Sequence, residues 1–283
     1  MKHQKVFLFA AFVFAFSFAA AAQSNELIKR TTYKTDRLDF GVGGTVSIVG
    51  APDGSIRVEG WNNREVEISA EIEIEAANEA DLARLSTITG FVLQESLGRT
   101  SIISTGVHNR KAIRKIDKKF PKHLFGSNFR VNYVVKVPRY TDIEIDGGKG
   151  DLHVSGVEGT MRINYIETNA SIDLVGGGIV ANFGTGSVDI SIPSRSWRGR
   201  FADVQMASGK MNLVLPNGLN ADFYATILRT GSIENNYSGF KPRTRNGEFT
   251  QRSIAAKAGT GSVPLKFSVG DGTMTISEIG QPS

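Results

Sequence analysis

Apolar and polar residues alternate strictly over long stretches of this chain. Glu65 to Glu75 reads E-V-E-I-S-A-E-I-E-I-E, which sets Val66, Ile68, Ala70, Ile72 and Ile74 on one face. Successive side chains of a strand point to opposite sides, so the pattern predicts a strand with one buried face and excludes a helix. The same alternation recurs at 45–48, 55–59, 130–137, 142–146, 151–155, 160–165, 171–174, 187–192, 210–215, 264–269 and 273–276. Gly, Asn, Asp or Pro stands in nearly every gap, as turns require. One short helix is predicted near 78–89: Asn78 is its N-cap, Glu79 and Asp81 its acidic first turn, and Leu82, Leu85 and Ile88 follow before Gly90 stops it. A weaker helical pattern covers Arg110 to Phe120.

After residue 147 the strands repeat as sequence too. T-G-S-V-D-I-S-I-P (185–193), S-G-K-M-N-L-V-L-P (208–216), T-G-S-I-E-N-N (230–236) and T-G-S-V-P-L-K-F (260–267) share a glycine turn and then an alternating strand. Their glycines at 186, 209, 231 and 261 are 23, 22 and 30 residues apart. A fixed period of this kind indicates stacked units. About 22 residues at ~3.3 Å each make a path of ~70 Å, enough for two or three short strands with corners. The expected fold is therefore all-β: a glycine-punctuated β-solenoid or β-helix-like stack of short strands with one short helix. The alternative is a β-sandwich of hairpins, which places turn signals every ~8–12 residues.

These residues resemble a family of bacterial proteins called "putative adhesins", exported β-strand repeat domains of unassigned function. The resemblance rests on D-G-S-I-R-V-E-G-W-N-N-R-E-V-E-I (53–68), a short helix after the long strand, Y-V-V-K-V-P-R (133–139), and D-I-E-I-D-G-G-K-G-D-L-H-V-S-G-V-E-G (142–159) ahead of the glycine-rich repeats. It covers most of the chain after about residue 40. It implies an exported, solenoid-like fold and no established activity. The basic insertion at 108–128 departs from the family pattern and inherits nothing from it.

The N-terminus carries an export signal. Lys2 and Lys5 form a basic start, Val6 to Ala22 is apolar apart from Ser17, and Ala20-Ala21-Ala22 offers a small-residue cleavage site. We read 1–22 as a signal peptide and 23–283 as a single elongated β-repeat domain, irregular over 23–140 and regular over 141–279. The apolar run falls short of the ~20 residues that span a bilayer, and no other run approaches that length. No transmembrane segment is expected after signal removal, and the mature protein is expected in the periplasm, outside the cell or on its surface. The chain has no cysteine, which rules out lipid attachment through a thiol, disulfides and thiolate metal sites.

The net charge of +5 is unevenly placed. Arg110, Lys111, Arg114, Lys115, Lys118, Lys119, Lys122 and Arg130 face one nearby acid, Asp117, while the rest of the mature chain is mildly acidic. We take Arg110, Lys111, Arg114, Lys115, Lys118, Lys119 and Lys122 as a candidate anionic-surface site, with Ile113, Ile116 and Phe120 lining the inner face of a short helix. The fitting partners are an anionic envelope polymer, a lipid surface or another envelope protein. Nucleic acid is not expected, because Phe120 and Phe125 make no repeated stacking platform. The bland reading of the segment is a solvated loop capping one end of the fold.

Other candidates for chemistry are weak. His108 and His123 sit among cations, which disfavour a divalent metal, and His153 lies on the polar phase of a strand. G-G-K-G-D (147–151) lacks both the Ser/Thr and the first glycine of a phosphate loop and reads as a turn. Asp142, Glu144 and Asp146, and Glu67, Glu71, Glu73 and Glu75, line strand faces and offer in principle the carboxylate pair of a glycosidase. Trp61 and Trp197 read as lids over core ends. The expectation is an exported, non-catalytic, adhesin-like binding or cell-envelope structural module with no cofactor and no metal. The alternative is a polysaccharide-active enzyme of β-helix type.

Overall fold

The computed structural model describes residues 27–279 apart from 42, 195, 196 and 246, so the signal segment 1–22 lies outside the described residues. The elements run β1 (Ile28–Asp39), β2 (Thr45–Val49), β3 (Ile56–Trp61), β4 (Glu65–Ala76), α1 (Glu79–Ile88), β5 (Gly90–Ser96) and β6 (Arg99–Thr105). After these come α2 (Arg110–Ile116), a 3-10 turn (Lys122–Gly126), β7 (Phe129–Pro138), β8 (Asp142–Lys149), β9 (Leu152–Ser155) and β10 (Thr160–Asp173). The chain continues with β11 (Gly176–Ser191), β12 (Arg198–Leu215), β13 (Ala221–Asn235), β14 (Lys241–Pro242), β15 (Ser253–Ala258) and β16 (Val263–Glu278).

All sixteen strands join one mixed, largely parallel sheet. This corrects the expected stack of short strands, and it corrects the sandwich of hairpins as well. The repeats are long strands of 14 to 18 residues, paired in parallel register along most of their length. The secondary structure is mostly β but includes two short helices, α1 and α2.

A shift in burial phase explains why local alternation looked like separate short strands. In β10 the buried positions are Met161, Ile163 and Tyr165, then Thr168, Ala170 and Ile172. Odd numbers face inward before residue 166 and even numbers after it. In β12 the inward set passes likewise from Ala202, Val204 and Met206 to Met211 and Leu213. A strand that changes phase yet buries both halves in one core must bend at the change. Only Leu174 and Val175 separate β10 from β11, whereas parallel neighbours ordinarily need a crossover of about a dozen residues or more. The bend within each strand makes the return that a crossover would make.

The bends line up on glycine. Gly186 pairs with Gly209, Gly209 with Gly272 and Gly272 with Gly231, all with positive φ. A Cβ on Gly186, Gly209, Gly272 or Gly231 would lie closer than 3.0 Å to a backbone oxygen of the neighbouring strand. The fourth partner in this row is Gly272 and not Gly261, which precedes β16, and β16 itself lies between β12 and β13. Order in the sequence is therefore not order in the sheet.

At the other end the sheet divides. β8 pairs with β2, and β2 with the β5–β6 hairpin, while β9 pairs with β3, then β7, β4 and β1. Helix α1 links β4 to β5 and buries Leu82 and Leu85. Its N-cap is Asn78, whose side chain accepts from the Asp81 N–H at 2.9 Å. Between the two branches Tyr133 is fully buried, its hydroxyl 2.7 Å from Ser104 Oγ and its ring edge-on to Phe91.

Burial pushes the Tyr133 phenol up to about 12 from an ordinary 10.0, with the Ser104 hydrogen bond opposing the shift. A phenol whose pKa is raised by folding contributes stability that is complete below pH ~10 and lost as pH rises towards ~12, worth about 2–3 kcal/mol. Urea titrations at pH 8, 10 and 11.5 are expected to show that Tyr133→Phe loses less stability than the parent chain over this range. An equal loss in both would refute the assignment.

Candidate functional site

The basic segment connects β6 to β7, so it crosses between the two branches of the sheet beside α1. Asn109 caps α2, its side chain accepting from the Ala112 N–H at 3.1 Å. Ile113, Phe120 and Leu124 are buried and fasten the segment to the core. Phe120 packs on Phe125, with ring centroids 5.1 Å apart. His123 Nε2 lies 3.2 Å from Asp81 Oδ2 and ties the segment to α1. His108 stacks on Phe129 at 5.4 Å, and this partial burial lowers its pKa.

Ile116 departs from the expectation, being 81 % exposed. Asp117 is the C-cap of α2, so the chain leaves the helix at the point where Ile116 would have turned inward. Phe120 returns to the core from outside the helix. The seven candidate cations are all exposed, and among the described residues none forms an ion pair with a carboxylate. Arg110 and Arg114 lie over the ring of Phe125 at 5.3 and 5.8 Å. Lys111, Lys115, Lys118, Lys119 and Lys122 point their charge to solvent.

Of the strand carboxylates, Asp142, Glu144, Asp146, Glu67, Glu71 and Glu73 are engaged elsewhere, and Glu75 has no side-chain partner among the described residues. Glu144 is paired with Arg99 at 2.6 Å, Asp142 accepts from the Thr160 N–H at 2.6 Å, and Asp146 accepts from Asn164 at 2.9 Å. The Arg99 hydrogen bond holds the Glu144 carboxyl below its usual range, and Lys136 with Arg37 does the same for Glu67. Glu71 accepts from Tyr33, and Glu73 is paired with Lys29. The G-G-K-G-D stretch ends β8 at a bend, with Gly150 at φ +136° and Lys149 paired to Glu167 at 2.9 Å. Trp61 donates to the Glu65 carbonyl, and Trp197 packs against the core. Among the described residues no group of His, Asp and Glu is placed to hold a metal ion, and no helix is long and apolar enough to cross a membrane.

A second concave surface lies on the outward face of β12, β16 and β13. Asp203 and Gln205 of β12, Lys266 and Ser268 of β16, and Asp222, Tyr224 and Thr226 of β13 line a groove of ≈ 590 Å³ that Arg243 borders. These residues are scattered between positions 203 and 268, and the sequence pattern did not single them out.

No family model matches the chain, and no curated protein matches it. Among solved structures it is similar to a "putative cell adhesion protein" from Clostridium sporogenes, with 14% identity over 88% of this chain and 100% of that one and a TM-score of 0.45. A "putative adhesin" from Bacteroides fragilis matches at 10% identity over 88% and 97%, with a TM-score of 0.30. A "putative lipid binding protein" from Parabacteroides distasonis matches at 12% over 86% and 96%, with a TM-score of 0.22. Structures that carry the adhesin name are thus among the neighbours of a chain whose residues resemble that family.

Proposed function

We propose that this chain is an exported, non-catalytic binding or cell-envelope module, periplasmic or at the cell surface, that docks on anionic lipid through its basic segment. The observation that carries this reading is the crowding of unpaired charge. Cations without an ion-pair partner also occur on the sheet, as at Arg162, Lys210 and Lys266, but there they are scattered, whereas Lys111, Lys115, Lys118, Lys119 and Lys122 are exposed together in one short segment, and among the described residues none of them is paired with a carboxylate. Cations gathered without counter-charges repel one another, and an external anionic surface relieves that repulsion. The exposed Ile116 amid these lysines favours lipid over a purely polar polymer, since an apolar side chain gains by entering the acyl boundary. The non-catalytic reading is supported by carboxylates that already serve the sheet: Glu144 is held ionised by Arg99, the reverse of a general acid.

Sedimentation with vesicles tests the reading. The protein cleaved after residue 22 is expected to bind phosphatidylglycerol vesicles, to ignore phosphatidylcholine vesicles, and to release as salt rises. Each cation near such a surface is worth about 1 kcal/mol, so replacing Lys111, Lys115 and Lys119 by Gln lowers binding roughly 100-fold. Ile116→Asn lowers it roughly tenfold. Salt-independent binding, or binding only to a soluble acidic polysaccharide, rejects lipid docking.

A further inference from the structure

The outer edge of β1 is complementary to itself, and we infer that two copies of this chain associate through it, β1 against β1 in antiparallel register about a two-fold axis at Tyr33. β1 ends the order of strands and pairs only with β4. The Phe40 N–H donates to the Arg64 carbonyl at 2.8 Å, and on the other side of β4 the Glu75 N–H donates to the Asn128 carbonyl at 3.3 Å. Bonding direction alternates along an antiparallel strand, so the even-numbered residues of β1 bond to β4. Lys29, Thr31, Tyr33, Thr35 and Arg37 therefore turn their backbone N–H and C=O groups outward. Among the described residues only one of these groups meets a partner: the Arg37 N–H donates to its neighbour Asp36 Oδ1 at 2.9 Å.

The other edges are closed. β14 has two residues and ends on Pro242, and on β5 the Phe91 carbonyl accepts from Lys34 Nζ at 2.7 Å. β1 by contrast is twelve residues long, with neither a proline nor a bulge to blunt it.

Charges also keep edges apart, so the register decides whether those of β1 repel or attract. With Tyr33 opposite its own copy, Arg30 faces the second copy's Asp36, Ile28 faces Leu38, Thr32 faces Lys34 and Thr31 faces Thr35. Opposite charges and apolar side chains then meet on the face that β1 shares with the buried residues of β4. Lys29 faces Arg37, but each is already neutralised within its own chain, by Glu73 and by Glu65 with Glu67. Sliding one copy by two residues in either direction sets Arg30 against Lys34 or Lys34 against its own copy. Asp36 has no ion-pair partner among the described residues, and Arg30 keeps donors beyond the one it gives Glu79. On association Asp36 turns to Arg30 and releases the Arg37 N–H, which then donates to the second copy's Lys29 carbonyl. The paired edge is about 37 Å long and one sheet thick, at the small end of specific interfaces, so the dimer dissociates on dilution through the micromolar range. This inference is independent of the lipid-docking reading, since it uses a different surface.

Sedimentation velocity of the chain lacking residues 1–22 is expected to show a monomer when dilute and a dimer when concentrated. Thr35→Pro removes an N–H that points away from β4, so it is expected to abolish the dimer while leaving the urea midpoint close to that of the parent chain. Asp36→Lys is expected to weaken association roughly tenfold. The chain has no cysteine, so disulfide formation reports the register. Tyr33→Cys is expected to cross-link to its copy across ~5.5 Å between Cα atoms, whereas Thr31→Cys and Thr35→Cys, each ~14 Å from its copy, are not. A chain still monomeric at ~1 mM, a dimer that both Thr35→Pro and Asp36→Lys leave intact, or cross-linking at 31 or 35 in preference to 33 overturns the inference.

Discussion

Gly209→Ala is expected to abolish cooperative folding, although it adds a single methyl group. Gly209 sits at φ +137°, a region that L side chains rarely adopt. Its added Cβ would fall closer than 3.0 Å to the Gly186 carbonyl oxygen and to Met206 Cε. Met206 can shift, but Gly186 cannot, because it is held in the ladder between β10 and β12. Relief would require β11 and β12 to part at the bend, and the clash would then pass to Gly272, whose own Cβ position meets the Gly209 backbone. The backbone conformation alone costs about 1–3 kcal/mol, and lost ladder bonds and core contacts add to it. Against a total stability of about 5–15 kcal/mol, that is enough to unfold the domain. Gly98 supplies the control: φ is +71°, yet no atom lies within 4 Å of its added Cβ. Gly98→Ala is expected to cost about 1 kcal/mol and no more. Urea melts followed by circular dichroism distinguish the two, and a Gly209→Ala midpoint equal to that of the parent chain would defeat this account.

The same row of glycines shows what was legible in the sequence. Gly186, Gly209 and Gly231 were recognisable as equivalent because each precedes an alternating strand, and all three lie on the bend. Gly261 shared the motif but not the position, since its strand runs on to its own bend at Gly272. Local alternation reports which side of a strand is buried, and it did so for Val66 through Ile74 of β4. It carries no information on whether two alternating runs are one bent strand, nor on which runs are neighbours across a gap of forty residues. The seven cations of the basic segment could be counted from composition. Their lack of partners could not, because pairing depends on which carboxylates the sheet brings close, and neither could the exposure of Ile116. The groove was hidden for the same reason: Asp203, Asp222, Tyr224 and Lys266 converge only because the last strand enters between two earlier ones.

That placement makes β16 the strand whose loss the fold tolerates least, and a chain ending at residue 262 is expected to be insoluble. β16 pairs with β12 on one side and with β13 on the other, from Val263 through Glu278. Its inward residues Leu265, Phe267, Val269, Met274 and Ile276 are all buried. Each such side chain contributes about 1.5–3 kcal/mol, so the set is worth roughly 7–15 kcal/mol, comparable to the whole stability of a domain. Without it β12 and β13 each present a bare, unpaired edge, and β13 with β15 and β14 loses the strand pairing that, among the described residues, joins it to the rest of the sheet. Two long adjacent edges with no strand between them invite pairing with other chains. A synthetic peptide covering 259–283 added during refolding is expected to restore soluble protein with a cooperative melt, because the missing strand fits one gap in one register. The same peptide carrying Gly272→Val is expected to fail, since its side chain would meet the Gly209 carbonyl. Truncated protein that is soluble and melts cooperatively without peptide would show that β12 and β13 close on each other, and the inserted-strand account would be wrong.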